Sequence, residues 1–159
     1  SLGQGLSIGV GQALAARVDG RSYHTYVMTG DGEIGQGQVW EATAAAAKYK
    51  LANLTLIVDR NHYQQTGSAE SVLNMDPIDG KFVAFGWHTQ VIEGNDMGQV
   101  VAALTRARAV TDKPTCIVSM TKKGFGILKT LEKLGDTNFH GKPLPEKNLP
   151  EALAELGLS

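Results

Sequence analysis

The chain has 159 residues, a net charge of −1 and a single cysteine. The near-neutral balance leaves no electrostatic footprint for nucleic acid or an anionic membrane surface, and no apolar run approaches the roughly 20 residues that span a bilayer. Cys116 has no partner for an internal disulfide and falls in a predicted strand, where it reads as a small buried hydrophobe. Such cysteine usage fits a reducing compartment, the cytoplasm. Apolar residues at 42% and charged residues at 19% form an ordinary globular mixture, in a chain long enough for one domain with a substantial core. No signal peptide is visible. The chain opens on Ser1 rather than Met, which leaves open a natural start further upstream.

In chain order, Leu6, Val10, Leu14 and Val18 recur every four residues and predict a helix running to Val18. Gly9 and Gly11 interrupt it at a cost of roughly 1 kcal/mol each relative to alanine, which points to close approach of another backbone or a ligand. Asp19-Gly20-Arg21 reads as a turn and residues 24–28 as a short strand. In the predicted helix 38–50, Val39, Trp40, Ala42, the four alanines at 44–47 and Tyr49 leave few polar faces. A helix apolar nearly all round is buried in a large core or an interface, and in a chain this small an interface is the expectation. Residues 54–58, apolar and β-branched, read as a buried parallel strand. Residues 62–68 read as a polar loop, 77–85 as a short helix ended by Gly86, and 88–92 as a strand. Asn95 or Asp96 caps a helix over 97–110, with Val100, Val101, Leu104 and Ala107 on one face. Residues 114–120 form a fourth strand. Residues 122–138 show no sustained period and are expected as a loop with a helical turn near Leu131, in an irregular region spanning 122–148. A short helix over 149–156 closes the chain. Alternating strands and helices predict an α/β fold with a doubly wound, mainly parallel sheet.

Between the first two strands lies the most informative stretch. Asp31, in Gly30-Asp31-Gly32, follows the first strand and Asn61 follows the second, thirty residues on. If helix 38–50 joins parallel strands, Asp31 and Asn61 meet at the carboxyl edge of the sheet, where open α/β sheets bind ligands. A carboxylate and an amide oxygen are hard ligands suited to Mg²⁺ or Ca²⁺. The glycines let a backbone approach a phosphate closely, and the following helix offers N–H groups and a positive dipole end. The pattern reads either as a metal with a phosphate or diphosphate, or as an ordinary βα turn with Asp31 as a helix cap.

Gly30-Asp31-Gly32 with Asn61 resembles the diphosphate-binding motif of thiamine diphosphate enzymes. Gln38-Val39-Trp40-Glu41-Ala42, Tyr49-Lys50-Leu51 with Asn53-Leu54, and Asp59-Arg60-Asn61 are similar to transketolases in particular. So are Ser1-Leu2-Gly3-Gln4-Gly5, Phe85-Gly86-Trp87, Lys113-Pro114-Thr115 and His140-Gly141, so the resemblance runs from Ser1 to about Leu156. It implies the thiamine diphosphate-binding fold, with 1–159 as one diphosphate- and Mg²⁺-binding domain lacking the family's N-terminal segment. It implies three protein ligands for Mg²⁺ (or Ca²⁺): the side chains of Asp31 and Asn61 and the backbone carbonyl of Tyr63. Diphosphate oxygens and a water complete the octahedron. Asp59 is a weaker candidate ligand at the strand end. Gly30 and Gly32 fall at the diphosphate, Gly32 through its N–H. Leu2 falls beside the thiamine, against the alternative of core packing. His140 falls near the diphosphate and the donor sugar, as the candidate catalytic residue. His24, His62 and His88 draw no such support, and Lys122 and Lys123 read as a solvated loop.

The implied activity is transfer of a two-carbon ketol unit between sugar phosphates, as in the pentose phosphate pathway. The cofactor carries the carbanion chemistry and the protein supplies position and electrostatics. The implied partner is a pyrimidine-binding, C-terminal transketolase chain or domain, as in split-gene transketolases, in a homo-oligomer (a dimer) or a heterotetramer, and the chain alone is expected to be inactive. Rival readings are a 1-deoxyxylulose-5-phosphate synthase-like or dehydrogenase E1-like subunit, or a non-catalytic relic. Two positions depart from the family pattern. Gln36 stands where a glutamate of an intersubunit carboxylate network is common, and Asn95 stands where a histidine is common and is expected to act in local capping.

Overall fold

In the computed structural model, which describes residues 2–135 and 139–158, the chain alternates helices and short strands. The order is α1 (Gln4–Val18), β1 (Thr25–Gly30), α2 (Gly37–Lys48), β2 (Leu54–Arg60), β3 (Tyr63–Gln64), β4 (Gly67–Ser68), α3 (Ala69–Leu73), α4 (Ile78–Ala84), β5 (His88–Glu93), α5 (Met97–Ala109), β6 (Thr115–Met120), α6 (Leu128–Leu134) and α7 (Leu149–Glu155). Ser1 of the first family motif and residues 136–138 of the expected loop lie outside the described residues.

The four apolar runs pair as one sheet in the order β1-β2-β6-β5, and every pairing is parallel. Parallel strands are covered on both faces, and here the alternation sorts the two. Val27, Leu54, Leu56, Val58, Cys116 and Val118 face the larger core with Leu6, Val10 and Ala13 of α1, Val39, Ala42 and Ala46 of α2, and Phe82 of α4. Ile57, Ile92 and Ile117 face the other way, against Val100, Ala103, Leu104 and Ala107 of α5. Helices on both faces make the doubly wound arrangement predicted from the sequence. An aromatic group closes the larger core: Phe82 lies 5.2 Å from Trp40 and 5.4 Å from Trp87 between ring centroids, and Trp87 Nε1 donates to the Thr43 carbonyl at 3.0 Å. Cys116 is fully buried, and that burial pushes its thiol pKa up.

Several faces differ from expectation. Val18 is 84% exposed and Val101 57% exposed, so neither joins the core. Within this chain α2 turns Val39, Ala42, Thr43 and Ala46 to the larger core and leaves Glu41, Ala44 and Lys48 on its exposed side. Gly9 is crowded by a side chain and not by the backbone or ligand expected, since a Cβ there would sit 2.4 Å from Val27 Cγ2, and nothing lies within 4 Å of a Cβ at Gly11. The polar loop 62–68 contains the small hairpin of β3 and β4.

α6 is two turns long where a single turn was expected. Its cap comes from far along the chain. Glu155 of α7 accepts from the N–H groups of Lys129 at 2.9 Å and Thr130 at 3.0 Å, and Gly135 ends the helix in the left-handed conformation. First-turn N–H groups need such acceptors, and this one is supplied by tertiary structure.

At the opposite edge from the strand ends, His24 Nε2 lies 2.8 Å from Thr55 Oγ1, and its ring packs at 4.6 Å on Tyr26. Burial first, and then the nearby charge of Arg108, lower its pKa from the usual 6.5. The unfolded chain therefore takes up a proton, below about pH 6.5, that the folded chain resists. The His24 contribution is full above that pH and is lost on acidification. Thermal melts should show lower stability at pH 5.5 than at pH 7.5, with a shallower dependence in His24→Gln; an identical slope in the variant would contradict the assignment.

Candidate functional site

β1 and β2 end side by side. Gly30 pairs with Asp59, and the Asp31 N–H donates to the Asp59 carbonyl at 3.0 Å. That ladder brings the first half of the motif to the second. Asp31 is 2% exposed, and its Oδ2 accepts from Arg60 Nη1 at 2.8 Å and from the His62 N–H at 2.9 Å. Oδ1 has no hydrogen-bond partner among the described residues. The helix-cap reading of Asp31 is thereby set aside: the residue preceding α2 is Gln36, and no side chain caps that helix.

Asn61 folds back on its own turn. Its Oδ1 accepts from the Tyr63 N–H at 3.0 Å, the local geometry typical of Asn and Asp in turns. Its Nδ2 donates to Asp59 Oδ2 at 2.8 Å, and the other Asp59 oxygen accepts from Thr121 Oγ1. Both Asp59 oxygens accept hydrogen bonds from within the protein, and the bond from Nδ2 holds the Asn61 amide in place. Among the described residues no three His, Cys, Asp or Glu side chains are disposed to hold a metal. A metal at this edge would draw on a mixed set: the unpartnered Asp31 Oδ1, the Asn61 amide oxygen and the Tyr63 carbonyl. Three hard oxygens of this kind fit Mg²⁺ or Ca²⁺.

Arg60, at the end of β2, has a side chain 3% exposed and contacts three carboxylates: Asp31 at 2.8 Å, Glu70 at 2.9 Å and Asp76 at 2.5 Å. Burial alone would lower its pKa, but the hydrogen bonds to Asp76, Asp31 and Glu70 outweigh it and raise the pKa. Glu70 is held down at about 2, first by its own backbone N–H and then by His62 and Arg60. Glu33 makes a second tie. Its Oε1 accepts from the Gly3 N–H at 2.9 Å and its Oε2 from the Gly30 N–H at 3.3 Å, which fixes the start of α1 to the glycine turn. Gly3 has φ +98°, and a Cβ there would lie 2.9 Å from Gln36 Cβ, so the position requires glycine. Over Gly30 the space a Cβ would take is open.

All seven sequence-predicted site residues, Leu2, Gly30, Asp31, Gly32, Asn61, Tyr63 and His140, line one cleft of about 320 Å³, together with Glu33, Gln36 and Lys123. Leu2 is 67% exposed at its rim, which rules out core packing. Lys123 was expected in a solvated loop; it lines the cleft, with Nζ 6.0 Å from the centre of the Tyr63 ring. The signal for it was positional, three residues past β6 at the same sheet edge. Asn95 anchors this loop by accepting from the Lys122 N–H at 2.8 Å, while Asp96 caps α5. Arg60, Glu33 and the His62 N–H were also missed, because their partners lie in other segments. A larger cavity, about 540 Å³, opens where β5 and β6 begin, beside His88 and Lys113; none of the seven residues lines it.

The family model described as transketolase, thiamine diphosphate binding domain, matches residues 1–159. The chain is 38% identical over 156 residues to one of the subunits of apulose-4-phosphate transketolase from Phocaeicola vulgatus, covering 98% of this chain and 54% of that one. It is 37% identical over 156 residues to a 6-deoxy-6-sulfo-D-fructose transketolase subunit of a Clostridium species, covering 98% and 56%. To human transketolase it is 39% identical over 156 residues, covering 98% of this chain and 24% of that protein. It thus spans about half the length of the curated subunits it matches. Among solved structures, transketolase from Campylobacter jejuni superposes with a TM-score of 0.72 at 28% identity, covering 99% of this chain and 29% of that one. The Leishmania mexicana enzyme gives 0.73 at 28% identity, with the same coverage. A match along the whole chain and a shared fold lead to one conclusion: the chain belongs to the transketolase family, as its thiamine diphosphate-binding domain.

Proposed function

We propose that this chain is the diphosphate- and Mg²⁺-holding part of a cytoplasmic, split-gene transketolase that transfers a two-carbon ketol unit between sugar phosphates. The observation that carries the reading is the cleft at the ends of β1 and β2, where the unpartnered Asp31 oxygen, the Asn61 amide and Tyr63 converge beside the open turn at Gly30. The Asp31 and Asn61 side chains and the Tyr63 carbonyl hold the metal, Gly32 N–H meets the diphosphate, and Leu2 contacts the thiamine. When bound, the cofactor supplies the carbanion-stabilising chemistry. His140 faces the donor sugar and stabilises charge on it or on the diphosphate. Relatives named for apulose-4-phosphate and 6-deoxy-6-sulfo-D-fructose support a sugar bearing an anionic group as substrate. They also favour transketolase over a synthase-like or dehydrogenase-like subunit.

The remaining wall of the site comes from a pyrimidine-binding domain or chain. Two relatives are themselves named as subunits, which supports this division. No helix among the described residues is long and apolar enough to cross a membrane.

Three outcomes test the reading. By calorimetry, Asp31→Ala should weaken Mg²⁺-dependent thiamine diphosphate binding at least about 10- to 100-fold, the loss typical of disturbing a metal site; unchanged affinity would remove Asp31 from the ligand set. In the assembled enzyme, His140→Ala should lower kcat by roughly 10²-fold, the scale for losing one charge-stabilising donor, with an unaltered melting temperature. Wild-type kinetics there would return His140 to a structural position. Purified alone with cofactor, Mg²⁺, ketose and aldose, the chain should show no turnover and should self-associate or bind the pyrimidine-binding chain in sedimentation. Turnover by the isolated chain would contradict the divided site, and a monomer indifferent to the partner would contradict the assembly.

A further inference from the structure

Arg60 gathers acids from three places in the chain. Asp31 follows β1, Glu70 lies in α3, and Asp76 lies in the connection before α4. The segment from Asn61 to Asp76 carries Tyr63 and is stitched to itself. The Ala69 N–H donates to the His62 carbonyl at 2.9 Å, Gln64 Nε2 donates to the Leu73 carbonyl at 2.9 Å, and His62 Nδ1 lies 3.1 Å from Glu70 Oε1. A single guanidinium therefore joins the carboxylate at the end of β1 to the segment that supplies the Tyr63 carbonyl.

The division of labour within that guanidinium is specific. Nη2 serves Glu70 and Asp76, while Nη1 serves Asp31 Oδ2. The planar fork cannot rotate without breaking one of these bonds. With Oδ2 held by Arg60 and by the His62 N–H, Oδ1 is the Asp31 oxygen left for the cleft. We propose that Arg60 is a positioning residue for the metal site, setting the direction of the Asp31 ligand and its distance from the Tyr63 carbonyl through the Glu70 and Asp76 contacts. This deepens the functional reading above and rests on it.

Mg²⁺ demands a near-ideal octahedron with short bonds, whereas Ca²⁺ accepts longer and less regular sets. Loosening Asp31 should therefore penalise Mg²⁺ more than Ca²⁺. A purely structural loss would lower the folded fraction and weaken both ions alike. Calorimetric titration of each ion, with saturating thiamine diphosphate, into the protein assembled with its pyrimidine-binding domain or chain separates the two. Arg60→Met should raise the Mg²⁺ Kd by about 10- to 100-fold, as for other residues that orient metal ligands, and raise the Ca²⁺ Kd less. Arg60→Lys should recover part of the Mg²⁺ affinity. If Arg60→Met does not fold, the Glu70→Gln, Asp76→Asn double variant makes the same comparison on half-exposed side chains, and its Mg²⁺/Ca²⁺ ratio should shift in the same direction. Equal weakening of both ions, or an unchanged ratio in the variants beside normal wild-type binding, overturns the assignment of Arg60 alone. Failure of the wild-type protein to bind either ion with the cofactor overturns the functional reading and this one with it.

Discussion

The in-register parallel pairing of β1 with β2 is the constraint on which the rest depends. Thr25 meets Leu54, and each later pair follows in step until Gly30 meets Asp59. The strands therefore stop together, and the two turns that follow face each other across one strand spacing, about 4.8 Å. A slip of one residue would reverse every side chain between the two faces. It would take Leu56 and Val58 out of the core, and Arg60 with them away from Asp31. Hydrophobic burial thus enforces the register that assembles the polar site.

Electrostatics then shape the site. A carboxylate as buried as Asp31 is costly without partners, and removing one member of a buried pair typically costs about 3–5 kcal/mol. Arg60 and the His62 N–H supply the compensation on one oxygen. The same logic runs one strand further on, where Thr121, past β6, engages Asp59, which in turn orients Asn61. Arg60 thus backs Asp31, and Asp59 backs Asn61, the kind of support that orients a side chain for binding.

The described surface carries exposed apolar side chains on both sides of the sheet. Tyr26 and Met28 lie on the face of β1 away from the larger core and are 43% and 67% exposed. Ile8, on α1, is 61% exposed. The curated relatives carry chain beyond the stretch matched here.

What was legible in the sequence was local. β-branched runs and helical periods marked the sheet and its helices because burial acts on spacings of two and of three to four residues. The motif residues were legible too, since Asp31 and Asn61 each follow a strand directly. The convergence of Asp31 with Asn61 followed from the parallel order of the strands; Leu2 and His140 were placed beside them by the family resemblance alone. The sequence could not reveal partners separated by loops of undefined path. Arg60 read only as the middle of Asp59-Arg60-Asn61, yet the fold makes it the meeting point of Asp31, Glu70 and Asp76. α6 lacked a visible cap because its cap, Glu155, lies 25 residues downstream of Thr130. Val18 and Val101 fitted the apolar period but point to solvent, since periodicity marks a face without saying how wide a neighbour covers it. Pattern determined which elements form and which side chains can carry chemistry; three-dimensional packing decided which of them touch, because contact depends on distances that chain spacing does not encode.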